Sequence, residues 1–495
     1  MMYRVALIDV FENGNYGLRC LSSSLKQHGF EVYNIFAYNY LQDTSQLPPD
    51  QVVAVCDLVK QLSPNLIGIN ALSAIGHYWI SELASKIKEV ADAPIIFGGP
   101  YPSIVPKYII ERTIADFVCV GEGEETMVDF CKALSTGQSV DNIPGIMTKQ
   151  KLTYIRRDPP MDLDSLPFQS MGDKNTYRIT KDGQILREDP ILDVFQFHLR
   201  AGRGCPYHCS YCSNDALRSL YSRGKYIRKR SPSNVIDEIA LHVTLNPKCK
   251  RVWFIDDTFP TAKSWVQEFS EEYRKRIDIP FSIWHNPILT KKENMQMLAS
   301  AGMVRAIIGI ESASDITRKE VFLRNETKED FLETDRILTD LGITRQYDFL
   351  LDHPWESETE LEDTVKLLLK LNRPYTINMH SCIILPGTAM AKRAIAEGLV
   401  TEDEIIDKMA SDPLNSSRIF QWVKGAPKYT DTMRQYWTLL IYMTQKSEIP
   451  TWIIKLLAFT GSPTTAKAVL ILYKFYKSCY RRLINKTGKI LAKSK

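Results

Sequence analysis

The first 150 residues alternate short apolar runs with stretches in which apolar positions recur every three or four residues. Runs at 5–10, 31–36, 66–71, 94–97 and 117–120 read as strands, and the helical period fills 18–28, 75–91 and 124–135. A parallel strand is reached only through a crossover that covers the sheet, so this alternation predicts a doubly wound parallel sheet. Ligands of such sheets bind beyond the carboxyl ends of the strands. Here those ends carry 9–17, 71–76, 98–103 and 121–124, rich in glycine and small polar residues, which serve equally well as plain turns.

Residues 151–190 are polar and broken by Pro159, Pro160, Pro167 and Pro190, the composition of a surface connector. From Ile191 the alternation resumes, with strand runs at 197–201, 251–255, 281–284, 304–310, 346–351 and 376–385. Helical patterns at 234–245, 264–276, 291–301, 328–341, 358–371 and 389–397 separate them. Six such pairs predict a partial (β/α)6 barrel over 191–400, with reacting groups at the carboxyl ends of its strands. Residues 401–495 lose the alternation and read as mostly helical. The fold class is thus α/β: a doubly wound domain (1–150), a connector (151–190), a barrel (191–400) and a helical region with a basic tail (401–495).

Composition adds limits. In 495 residues, 44% hydrophobic and 24% charged content fits a folded chain. A formal charge of +4 gives no field for a nucleic-acid partner. Arg4, Asp9 and Glu12 interrupt the first dozen residues, and no apolar stretch reaches the ~20 residues that span a bilayer, so a soluble, cytoplasmic protein is expected. From Lys467 onward nine Lys and Arg and no acid interleave with apolar and aromatic residues. That tail reads either as an amphipathic helix on an anionic membrane or as the solvated face of a helix packed on the barrel. The aromatic residues Tyr429, Tyr436, Trp437 and Tyr442 are expected over the barrel mouth, where they suit an apolar or ring-bearing substrate and equally a packed core.

Of ten cysteines, Cys20, Cys56, Cys119, Cys131, Cys249, Cys382 and Cys479 stand singly among apolar neighbours as core thiols. The other three cluster in Gly202-Arg203-Gly204-Cys205-Pro206-Tyr207-His208-Cys209-Ser210-Tyr211-Cys212, spaced C-x-x-x-C-x-x-C. Three thiolates can hold three irons of a cubane and leave the fourth open. An open iron can chelate the amino and carboxylate groups of S-adenosylmethionine. One-electron reduction then breaks a carbon–sulfur bond and releases a 5′-deoxyadenosyl radical able to take hydrogen from an unactivated carbon. A zinc site including His208 competes poorly, because His208 directly precedes Cys209 and adjacent ligands rarely close a tetrahedron. A non-catalytic iron–sulfur or zinc protein acting through the basic tail is the reading from another class.

On this motif, with Tyr211 before its last cysteine, the sequence resembles the radical S-adenosylmethionine superfamily, in the branch with an N-terminal cobalamin-binding domain. The segments 254–259 (Phe-Ile-Asp-Asp-Thr-Phe), 309–312 (Gly-Ile-Glu-Ser) and 385–388 (Leu-Pro-Gly-Thr) extend the resemblance over roughly residues 1–400. It implies a 4Fe–4S cluster on Cys205, Cys209 and Cys212. It also implies S-adenosylmethionine contacts from Tyr211, from Asp256 and Asp257 near the methionine end, and from Glu311 by the ribose. An external one-electron reductant such as a flavodoxin or ferredoxin follows. Asp352 and His353 depart from the family, which has a glycine-containing turn there: either the loop is reshaped or His353 serves the substrate.

The broader cobalamin-binding fold carries D-x-H-x-x-G after its first strand, with the His below cobalt. Asp9 and Gly14 keep that frame, but Phe11 takes the His position and cannot ligate a metal. Residues 72–74, 98–100 and 121–124 resemble the branch's loops around the corrin and nucleotide tail, so Asp9, Gly14, Ser73, Gly98, Gly99, Gly121, Glu122 and Gly123 are the implied cobalamin contacts. His77 reads as surface, and a domain that keeps the fold without the cofactor is the alternative. The resemblance implies cobalamin-dependent methylation of an unactivated carbon in a small or lipid-like metabolite; the alternative is radical cyclisation, ring contraction or oxidation without methyl transfer.

Overall fold

The apolar run near the start becomes β1 (Arg4–Asp9), buried from Val5 onward, and a strand with no face for water takes the middle of a sheet. The computed structural model describes residues 2–10, 15–37, 48–72, 77–411 and 431–473. Beside β1 stand β2 (Glu31–Ala37), β3 (Leu66–Asn70), β4 (Ile95–Gly98), β5 (Phe117–Cys119) and β6 (Ile146–Thr148), with β7 (Thr176–Ile179) and β8 (Ile185–Leu186) beyond β2. The order is β6-β5-β4-β3-β1-β2-β7-β8, parallel except at the two edge strands β6 and β8. Chain direction across the sheet reverses at β1, flanked by β2 and β3, which opens a crevice at the carboxyl ends there. Helices α1 (Tyr16–Gln27) and α6 (Gly123–Thr136) cover one face. The other face carries α2 (Pro49–Leu62), α3 (His77–Lys88), the short α4 (Pro100–Ile104) and α5 (Pro106–Arg112).

Helix α2 and the segment 151–190 both differ from the sequence expectation. Helix α2 was not expected, yet it buries Val55, Leu58, Val59 and Leu62 and opens with proline in its first turn, where the missing N–H costs nothing. The segment 151–190 is more than a connector, because β7 pairs in parallel with β2, Asn34 opposite Thr176, and β8 continues the sheet. Only the two ends of β7 are buried, so no alternating pattern marks it in the sequence.

The second sheet runs in chain order: β9 (Gln196–Leu199), β12 (Arg251–Phe254), β13 (Phe281–His285), β14 (Met303–Glu311), β15 (Thr344–Leu351) and β16 (Thr376–Ser381), every pair parallel. Between β9 and β12, the ribbon of β10 (Gly202–Arg203) and β11 (Arg228–Lys229) brackets α7 (Ser213–Arg218). The outer helices are α8 (Pro232–Leu245), α9 (Lys263–Arg276), α10 (Lys292–Ser300), α11 (Lys328–Asp340), α12 (Glu358–Leu368) and α13 (Ala389–Ala396). This is the expected open six-unit barrel. Alternate strand residues such as Phe197, Val252, Phe254 and Ile308 pack beneath the helices, and Phe269 of α9 meets Phe254 and Phe281 edge to face.

After α14 (Glu402–Ser411) come α15 (Thr432–Thr444) and α16 (Thr451–Phe459), then a helical stretch at 463–473. Helix α15 lies on α12, outside the barrel: Tyr436 and Trp437 are buried in the core and Trp437 Nε1 donates to Glu358 at 3.0 Å. Those two rings therefore fill the outer layer and do not cover the mouth, while Tyr442 carries Lys446 over its ring at 4.9 Å. Tyr429, Cys479 and the tail from 474 lie outside the described residues.

Candidate active site

Strand β9 delivers the chain to the barrel mouth, and the turn to the cysteines is built on one glycine. Gly204 has φ +84°, and a Cβ there would run into the Tyr226 carbonyl, so only glycine lets the bend begin. Asp256, at the end of β12, accepts hydrogen bonds from the backbone N–H of Ala201 at 3.1 Å and Gly202 at 2.7 Å. Its burial pushes the carboxyl up to about 7. Arg218 of α7 reaches back and donates to the carbonyls of Cys205 and Tyr207. Ser210 N–H donates to Phe322 O at 3.0 Å and Ser210 O accepts from Met390 N at 2.8 Å, tying the loop to the far side of the barrel. Cys205, Cys209 and Cys212 are thus held half-buried on one anchored bend.

Three thiols on one bend are the donor set of an iron–sulfur cluster rather than of a single ion, and among the described residues no three His, Cys, Asp or Glu side chains converge on one ion position. Burial pushes the Cys209 thiol up to about 11 and Cys212 to about 12. Thr258 Oγ1 donates to Cys205 Sγ at 3.2 Å. Zinc with His208 does not fit: its Nδ1 meets Asp215 at 2.7 Å and its Nε2 meets Arg218 at 2.7 Å, leaving no ring nitrogen for a metal.

Beside the loop a second group of residues is locked together. Arg324, buried, donates to Tyr211 Oη at 2.9 Å, to Gly309 O at 2.8 Å and to Glu326 at 2.7 Å, and meets Glu311 at 3.3 Å. Glu311 sits at φ +62°, an uncommon conformation for a residue with a Cβ, at a register shift between β14 and β15. Burial outweighs the pull of Arg324 and raises its carboxyl to about 7. Tyr211 and Glu311 therefore share one frame within the barrel mouth.

A cavity of about 420 Å³ lies between the two domains. Gly98, Gly99, Gly121, Glu122 and Gly123 of the first sheet line it, and Ser213, Asn214, Tyr221 and Asp257 of the barrel line its other wall. Its floor is small and apolar for a reason: a Cβ on Gly68 would come within 2.8 Å of Leu7, and one on Gly99, at φ +108°, within 2.7 Å of Asn70. Asp9 lies buried beneath, accepting from Asn15 N at 3.0 Å and from Asn70 Nδ2 at 3.1 Å. Asp9 thus shapes the rim through these two asparagines. A roomy, glycine-floored crevice at the switch point fits a large planar cofactor.

The domains are clamped at this cavity. Arg203 donates to Glu122 and to Glu124, each at 2.6 Å, and Arg228, opposite Arg203 in the ribbon, also binds Glu122. Burial disfavours the charge on Glu122, but Arg203 and Arg228 hold its carboxyl below the ordinary range. The loop expected to serve the cofactor and the strand leading to Cys205 are one ion-paired unit. Arg203, Arg228, Tyr221 and Asn214 escaped the sequence reading, since only the approach of the two domains brings them together.

The remaining expectations divide. Asp257 lines the cavity in an ion pair with Arg200 at 2.8 Å. Asp256 faces the backbone of its neighbour strand instead of a cofactor, an ordinary fate for a carboxylate buried beside unpaired N–H groups. His353 is buried, 3.2 Å from Glu360 and edge-on to Phe322, with Asp352 at φ +62°; the turn is reshaped and His353 packs inside it. Phe11, Gly14 and Ser73 lie outside the described residues, as does the side chain of His77.

Two family models match in the same order as these domains: a B12 binding domain at residues 10–130 and the radical SAM superfamily at 199–368. The chain thus carries a radical SAM domain preceded by a B12-binding domain. An uncharacterized methyltransferase of Pyrococcus horikoshii is 26% identical over 355 residues, 70% of this chain and 72% of that one. An anaerobic magnesium-protoporphyrin IX monomethyl ester cyclase of Synechocystis is 25% identical over 389 residues, 75% of this chain and 73% of that one. The radical S-adenosylmethionine methyltransferase TsrM of Kitasatospora setae, solved with cobalamin and a 4Fe–4S cluster, shares the fold with TM-score 0.65 at 18% identity, covering 80% of this chain and 78% of that one.

Proposed function

We propose that this enzyme methylates an unactivated carbon of a small or lipid-like molecule by radical chemistry. One observation carries the reading: residues directly after the third cysteine, Ser213 and Asn214, wall the same cavity as Gly98, Gly99 and Gly121 of the B12-binding domain. When bound, the cluster and cobalamin supply a single electron to S-adenosylmethionine and a carrier for the methyl group. The chain's own part is to position and to exclude water. Arg324 fixes Tyr211 and Glu311 beside the cysteine loop, and a Glu311 carboxyl near neutrality can donate to or accept from a ribose hydroxyl. Asp257 and its partner Arg200 present a charge pair to the amino-acid end of the nucleotide. Gly98, Gly99, Gly121, Glu122 and Gly123 take the corrin, and Asp9 sets the rim.

The test is anaerobic turnover with reconstituted protein and candidate substrates. Methyl transfer requires 5′-deoxyadenosine, S-adenosylhomocysteine and a product heavier by one methylene unit, all lost when Cys209 is replaced by alanine. Deoxyadenosine alone, with no methylated product, rejects it and favours a cyclisation or oxidation, the reading to which the cyclase relative points. An external one-electron donor completes the cycle, in the reducing cytoplasm that free thiols require. We assign the basic terminus to an anionic membrane surface.

A further inference from the structure

Helix α16 reads TWIIKLLAF and lacks the polar face that a surface helix of a soluble domain presents to water. Ile454 is fully buried, and Leu457 and Ala458 pack on the same core. The opposite stripe, at i, i+3, i+4 and i+7, is Trp452, Lys455, Leu456 and Phe459, all exposed, with Phe459 91% and Trp452 64% in solvent. The stretch 463–473 repeats the arrangement: Ala466 is buried while Lys467, Ile471 and Leu472 stand out, the last two 65% and 67% exposed. Single exposed apolar residues are ordinary, but five large ones on two consecutive helices mark a contact face.

We propose that this face lies on an anionic lipid bilayer, with Trp452, Leu456, Phe459, Ile471 and Leu472 inserted just below the headgroups and Lys455 and Lys467 at phosphate level. The inference rests on the assignment of the basic terminus to a membrane and adds the part that holds when salt screens the charges. No helix among the described residues is long and apolar enough to cross a membrane, so the contact is in the plane of the surface. Tryptophan and lysine on one stripe are the residues that settle at a lipid interface. The charge agrees as well, since residues 467–495 carry nine Lys and Arg and no acid, complementary to anionic headgroups. The rival occupant is a second copy of the chain. A two-fold contact here would set the exposed Lys455 and Lys467 of each copy in one apolar interface with no acid of the same stripes to pair them.

Full-length reconstituted protein is sedimented with vesicles of equal parts phosphatidylglycerol and phosphatidylcholine, and with phosphatidylcholine alone, at low and high salt. The expected result is partition to the anionic vesicles that weakens in high salt without vanishing. F459E and W452S, at solvent-exposed positions, keep the parent's circular dichroism spectrum and bind about tenfold less. If both variants bind like the parent and high salt releases all three, the tail acts alone and the inserted face is wrong while the tail assignment stands. No binding to either vesicle rejects both. A parent that is dimeric by light scattering and monomeric as F459E makes the face a contact between copies and overturns the proposal.

Discussion

Replacing Arg203 by methionine tests whether the two domains act as one unit. The guanidinium holds Glu122 and Glu124 at 2.6 Å each, among side chains 16%, 19% and 7% exposed. Glu122 keeps Arg228, but Glu124 loses the cation it faces. Removing one partner of a buried pair costs ~3–5 kcal/mol, and the residual access to water puts R203M at the low end, about 3 kcal/mol. At ~2–4 °C per kcal/mol for a domain of this size, the melting temperature drops by roughly 6–12 °C. The acid limb moves too. A carboxyl held below its ordinary 4.5 adds stability above that pH, lost only as pH falls through the lowered value. In R203M that loss begins at higher pH. The assay is calorimetry of the apo chain at two pH values, with R203M/E124M alongside. Removing both charges leaves no bare carboxylate and recovers most of the loss. An R203M that melts with the parent, or a double variant no better than the single, refutes the clamp.

Three further outcomes follow from particular side chains. G99A forces a Cβ to within 2.7 Å of Asn70 at φ +108°, so it loses about 2 kcal/mol in urea unfolding and sheds cobalamin on gel filtration. D256A leaves the N–H groups of Ala201 and Gly202 without their acceptor, costing about 3 kcal/mol and lowering iron per chain; full iron content in D256A would mean that Asp256 does not hold the loop. Burial raises the Asp348 carboxyl from 3.8 to about 6, so its contribution is present below 3.8 and lost as pH rises through 6. Urea unfolding between pH 4 and 7 should show that decline, flattening above pH 6, in the parent and not in D348N.

The alternation of strand and helix was legible because buried parallel strands must be apolar on both faces, as β1 and β3 are. The three clustered cysteines stood out from the seven single ones by their spacing, and the resemblance they carry supplied the chemistry expected of them. What escaped depends on distant partners. Strand β7 exists because β2 has an unpaired edge more than a hundred residues earlier, and its own four residues carry no pattern. Helix α2 was within reach, since Pro49 and the spacing of Val55, Leu58, Val59 and Leu62 are an amphipathic helix start. Tyr436 and Trp437 misled because aromatic content says nothing of whether a ring meets substrate or core. Asp256 shows the limit of a resemblance: it keeps the family's residue, but the fold points the carboxylate at backbone N–H groups.

The ribbon that sets Arg203 opposite Arg228 makes the barrel dependent on its neighbour. On its own, the barrel would bear two adjoining cations at its entrance with their acidic counterparts gone. Such a fragment would hold two like charges side by side with nothing to offset them. Excising the first domain would demand new anions at that entrance or the removal of both arginines, so the barrel is expected to express poorly when cut out alone.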